Sequence, residues 1–216
     1  MKKKKIIIAA FALLALLLIG GATAYFMDTK TLTNTFTMGN VQIALSETNF
    51  NSNNANGVMP GATILKNPAI TNTGASPAFV FIRVTEPCYG DKKVFLYEYS
   101  TNSSAWKVVG TPGSCSGTGV STTQTVYAYA GEINTEIDNQ PVTVDALSTL
   151  QPEDTTYDLF YAVQVNPALD ATAVTALNNS TVQIVIDGYG IQADNVPARG
   201  DGSKDPATIW ALFPSN

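Results

Sequence analysis

The chain has 216 residues, with 12 basic and 17 acidic side chains, no histidine and a net charge of −5 at pH 7. An acidic balance argues against nucleic acid or an anionic membrane face as a partner. The missing imidazoles remove the commonest zinc ligand and the commonest general base from any catalytic reading.

The N-terminus is built for export. Lys2, Lys3, Lys4 and Lys5 form a basic start, residues 6–19 are an unbroken apolar run, and Gly20-Gly21-Ala22-Thr23-Ala24 closes it with small side chains in an A-x-A arrangement. This is the anatomy of a secretory signal peptide, with cleavage expected between Ala24 and Tyr25. Extended to Phe26, the run also reaches the length of a bilayer span, so a retained N-terminal anchor is the alternative. Removing residues 1–24 leaves eight basic side chains against 17 acidic ones, a net charge of −9.

The residues that follow are more distinctive. Ala24-Tyr25-Phe26-Met27-Asp28, then Asn34-Thr35-Phe36 and Gly39 ahead of an alternating stretch, resemble the start of the TasA/camelysin family of secreted bacterial proteins. The resemblance implies processing by a SipW-type signal peptidase and a location in the matrix or on the cell surface of a bacterium. It implies a β-sandwich of jelly-roll type with short appended helices. It also implies self-association into biofilm fibres by donor-strand exchange, with matrix co-proteins as further partners. Tyr25, Phe26, Leu32 and Phe36 would then be the anchoring side chains of a donor segment, residues 25–36. Thr-rich, aromatic sequence suits an extended strand that completes a neighbour's open sheet edge. The other fate of this segment is to remain an edge strand of its own domain.

Charged residues make up only 13% of the chain. Thr, Asn, Ser, Gly and Val are abundant, which favours strands and polar turns over helices. The length after cleavage, residues 25–216, suits one all-β domain. In chain order, residues 36–45 alternate through Met38, Val41, Ile43 and Leu45 as a half-buried strand, 49–57 form an Asn-rich loop, and Met59-Pro60-Gly61 makes a turn. Residues 64–73 read as one strand ended by Asn72-Thr73-Gly74. Residues 77–85 follow as another, with Phe79, Phe81 and Arg83 on one face and Val80, Ile82 and Val84 on the other. Residues 94–99 and 106–109 read as a hairpin joined by a polar tip. Strands are expected at 123–129, 142–147, 157–165 and 181–191, a short helix within 167–177, and one or two helical turns at 206–213 presenting Ile209, Trp210 and Phe213. About nine strands in one domain imply a two-sheet sandwich; the jelly-roll topology comes from the resemblance alone.

Cys88 and Cys115 are the only cysteines. An even count in an exported chain favours a disulfide, with a free pair as the alternative. Gly113-Ser114-Cys115-Ser116-Gly117 has the spacing of a nucleophile elbow, but Pro112 before it, Gly119 after it and the lack of any histidine make it a surface loop. The family name carries a metallo-endopeptidase label, and a peptidase is therefore the competing function. A histidine-free chain cannot contain H-E-x-x-H or its variants, so no catalytic residue, metal or cofactor is assigned. Glu153, Asp154 and Asp158 beside Pro152 read as a solvated turn. Asp194, Asp201 and Asp205 lie in a Gly-containing stretch without EF-hand spacing. A monomeric surface module is the third reading.

Overall fold

The computed structural model describes residues 40–55, 57–131, 147–178, 180, 182–194, 196 and 205–213. The chain divides into two units, Met1–Met38 and Gly39–Asn216. The expected cleavage site, the expected donor segment and residues 142–146 of the expected strand at 142–147 lie outside the described residues; Leu147 is in no strand.

The second unit is an all-β sandwich, with ten antiparallel strands among the described residues. Its larger sheet has the order β10 (Val185–Gln192), β4 (Ala78–Tyr89), β8 (Val120–Tyr129), β7 (Trp106–Val108), with β5 (Lys92–Lys93) folded back on the end of β4. The facing elements are a three-stranded sheet, β2 (Thr63–Leu65), β9 (Ala162–Val165), β6 (Phe95–Glu98), and a two-stranded one, β1 (Ile43–Glu47) with β3 (Pro68–Asn72). Helices are short: α1 (Ala171–Asn178) and α2 (Pro206–Trp210).

Strand β4 organises both cores. Its alternation places Val80, Ile82 and Val84 in the main core, with Ile64, Ile70, Phe95, Tyr127, Phe160, Val163 and Leu177 from the other elements. Phe79 and Phe81 point the other way, into a second core closed by α2. There Phe81 and Tyr189 meet Trp210 and Phe213 with ring centroids 4.9–5.6 Å apart. Asp205 caps α2 by accepting from the Thr208 amide at 3.0 Å, and Pro206 takes the first helical position. Asp170 caps α1 in the same manner, accepting from the Ala173 amide at 2.8 Å.

Three expectations need correction. Residues 64–73 are not one strand. β2 and β3 pair with different partners, β9 and β1, and the chain changes sheets at Lys66-Asn67. Both side chains are drawn inward at that point. Lys66 Nζ meets Glu47 at 2.6–2.7 Å, and Asn67 accepts from the Asn49 amide at 2.7 Å while donating to Thr48 Oγ1 at 3.0 Å. Residues 94–99 and 106–109 are not a hairpin either. β6 pairs with β9 and β7 with β8, so the 3-10 turn Thr101–Ala105 carries the chain from one sheet to the other. Ser103 and Ala105 are buried in that crossing, and Trp106 Nε1 donates to the Tyr157 carbonyl at 2.8 Å. Finally, only Ala162–Val165 of the expected 157–165 strand is regular. Residues 156–161 instead follow β3 through the Thr156 and Leu159 amides, which donate to Ile70 and Pro68.

Cys88 and Cys115 are bonded, with their Cα atoms 5.6 Å apart and a separation of 27 in sequence. Closing a loop of that size stabilises the fold by about 3.5 kcal/mol through the unfolded chain's lost entropy. Reduction should therefore lower the urea midpoint by the corresponding amount, with the denaturant slope nearly unchanged.

The interior at this end of the sandwich is polar. Glu86 is fully buried and paired with Lys93 Nζ at 2.7 Å, with Tyr97 beside the carboxylate. Burial, reinforced by the Glu86 charge, pushes the Tyr97 phenol well above its ordinary value near 10. Burial does the same to Tyr127, helped by neighbouring Tyr99. The folded protein thus holds protons that the unfolded chain releases above pH ~10, so stability is complete below that pH and falls as pH rises through it. Urea melts at pH 8 and at successive steps above 10 should show this alkaline loss; a flat profile would exclude it.

Candidate functional site

Two features of the sandwich bear on function: the turn that receives residues 40–42, and an open stretch of its wall. The first is the turn. The end of β3 turns through Asn72-Thr73-Gly74, and Asn72 is completely buried with its side chain saturated. Its Nδ2 donates to the carbonyls of Ser76 at 2.9 Å and Leu150 at 3.0 Å, and its Oδ1 accepts from the Gly74 amide at 3.0 Å. This turn receives the chain entering from the N-terminal side. Thr73 and Gly74 amides donate to the Gln42 carbonyl at 2.8 and 2.9 Å, and the Ala75 amide donates to Asn40 at 3.0 Å. A side chain at Gly74 would strike the Asn40 carbonyl and the Gln42 amide, so only glycine lets the two backbones approach this closely. The Asn-x-Gly signal therefore has a structural reason: it lets the turn hold the backbone of residues 40–42 at close range. Glu153 and Asp154 dock on the same residue, the Glu153 amide donating to the Asn72 carbonyl at 2.8 Å and the Asp154 carbonyl accepting from the Asn72 amide at 3.0 Å.

The second feature is a groove of about 660 Å³ between the inner face of the three-stranded sheet and α1. Ile64, Phe95, Val163 and Val165 form its floor, Leu177 one wall, and Val182 with Ile184 the other. Phe50 and Lys66 stand at the lining, and the Lys66 ammonium is engaged by Glu47 and lies 4.6 Å from the Phe50 ring centroid. Two backbone edges border the groove. β2 pairs only with β9 among the described residues, and residues 182–184 belong to no strand before β10 begins. An apolar groove flanked by a free strand edge accepts an extended, uncharged segment with side chains on one face. Sequence reading missed it because its lining comes from five separate stretches whose meeting depends on the crossing at Lys66-Asn67.

Residues 1–79 match the family model described as Camelysin metallo-endopeptidase. This stretch is of the TasA/camelysin family. It runs from residue 1 through the Asn72 turn to the second residue of β4, so it contains the Asn72 hub and one side of the groove. No curated protein matches the chain.

The metallo-endopeptidase description implies a catalytic metal, and the donor set does not fit one. The chain holds no histidine, both cysteines are bonded, and among the described residues no three of His, Cys, Asp and Glu come together. Of the three Asp residues considered for calcium, Asp205 is used as the α2 cap, Asp194 joins no such group, and Asp201 lies outside the described residues. No hydrolytic step is assigned to these residues.

Proposed function

We propose that this is a secreted surface or matrix protein whose N-terminal segment, once released by a SipW-type signal peptidase between Ala24 and Tyr25, joins one subunit to the next. The observation that carries this reading is the open apolar groove with a free strand edge beside it. The segment matches it in chemistry. From Thr31 on it carries no charge, and Leu32, Asn34, Phe36 and Met38 share one parity, so an extended strand places them on one face, with Thr31, Thr33, Thr35 and Thr37 on the other; Asp28 and Lys30, of the same parity as Leu32, stay outside the groove. Its backbone finds partners along the edge of β2, and its apolar face replaces the water in the groove of a neighbouring subunit. Leu32 and Phe36 lie outside the sandwich unit, so their replacement leaves the fold intact. The double variant Leu32→Asp/Phe36→Asp should melt like the parent and stay monomeric in light scattering; fibres from it would sink the proposal.

A further inference from the structure

One edge of the large sheet is covered in an unusual manner. β8 runs from Val120 to Tyr129, but its outer neighbour β7 pairs only with residues 127–129. The Val109 amide extends the pairing by donating to the Val126 carbonyl at 2.8 Å. The Gln124 carbonyl, two residues earlier, points to the same side. That position is occupied by the loop at residues 110–119. The Gly113 amide donates to Thr125 Oγ1 at 3.0 Å, and a Cβ on Gly113 would strike the Gln124 carbonyl oxygen and the Thr123 hydroxyl. Two residues later Cys115 ties the loop to Cys88 on β4. Cys88 is fully buried and Cys115 is half-exposed, so an attacking thiol reaches Cys115 first.

We propose that the Cys88–Cys115 bond is a thiol-sensitive latch holding this loop on the edge of β8, and that opening it makes residues 120–125 a pairing edge for a second copy of the chain. A low-molecular-weight thiolate attacks Cys115 Sγ, a mixed disulfide forms, and Cys88 leaves as the thiolate. A second thiolate attacks the sulfur of the small thiol bound to Cys115, and Cys115 leaves as the thiolate, giving two protein thiols and one oxidised thiol pair. The freed edge reads Val-Ser-Thr-Thr-Gln-Thr, rich in β-branched residues, without proline or charge. In a chain with 17 acidic and 12 basic residues, an uncharged edge is where two copies approach without repulsion. Antiparallel pairing of this edge with itself gives a closed two-fold dimer.

This inference is independent of the N-terminal link, and the Leu32→Asp/Phe36→Asp mature chain separates the two. Oxidised and dithiothreitol-reduced samples are compared by hydrogen exchange and by light scattering, with Cys88→Ser/Cys115→Ser as the permanently open form. The expected result is exchange of the 120–125 amides that speeds up at least tenfold in dilute reduced protein through a local opening nearly independent of urea, while the β4 and β10 amides speed up only by the global loss of stability and keep their urea dependence, and a doubling of mass on concentration. Equal exchange of the 120–125 amides in both states, a rise there that follows the urea dependence of β4 and β10, or a reduced protein that stays monomeric would each overturn the latch.

Discussion

Asn72→Ala should be among the most damaging single substitutions in the sandwich, lowering stability by about 3 kcal/mol or more. The side chain is fully buried and makes three hydrogen bonds, two as donor and one as acceptor. Its removal strips the Ser76 carbonyl of this partner, at about 1–3 kcal/mol, and takes one of two hydrogen bonds each from the Leu150 carbonyl and the Gly74 amide, which keep Ala78 and Gln42, at about 1 kcal/mol apiece. Asn72→Asp is isosteric, yet it should be at least as harmful. A carboxylate keeps the bond from Gly74 but turns acceptor oxygens toward the carbonyls of Ser76 and Leu150. Urea melts of the parent and both variants check this. An Asp variant as stable as the parent would mean that the turn does not depend on those donors.

Lys93→Met should lower stability by about 2–4 kcal/mol at neutral pH. The Glu86 carboxylate is wholly excluded from solvent, and among the described residues Lys93 Nζ at 2.7 Å is its only ion pair. Removing one partner of a buried pair leaves an uncompensated charge, and that penalty exceeds the net worth of the pair itself. The Lys93 side chain is 32% exposed, which lets some water reach the site and keeps the expected loss toward the middle of the usual range. The double variant Glu86→Gln/Lys93→Met should recover most of the loss, because it removes the charge together with its partner. A double-mutant cycle measured by urea denaturation gives the coupling directly. Additive losses would show that the two groups do not act as a pair.

What the sequence disclosed about this fold follows the range of each signal. The two faces of β4 were legible because period-two alternation reports which side chains share a face, and Val80, Ile82 and Val84 do separate from Phe79 and Phe81 into two cores. The terminal helical turns at Pro206–Trp210 and the helix at Ala171–Asn178 were legible from local composition, since a capping Asp and an Ala-rich run act within one turn. Pairing partners were not legible. Alternation in residues 94–99 and 106–109 is identical whether they pair with each other or with strands far along the chain. The choice was made by buried Ser103 and Ala105 and by the Trp106 indole reaching Tyr157. The break at Lys66-Asn67 escaped for a related reason. Two polar residues inside an apolar stretch look like its solvent face until Glu47 and Thr48 are brought against them. The candidate groove is the furthest from local signals, because every wall comes from a different element.

The central claim, that the N-terminal segment links subunits, is tested most directly by electron microscopy of the purified mature chain starting at Tyr25, beside the same chain lacking residues 25–36. Fibres from the first and none from the second are the predicted result. Monomers from both, or fibres from both, would contradict it.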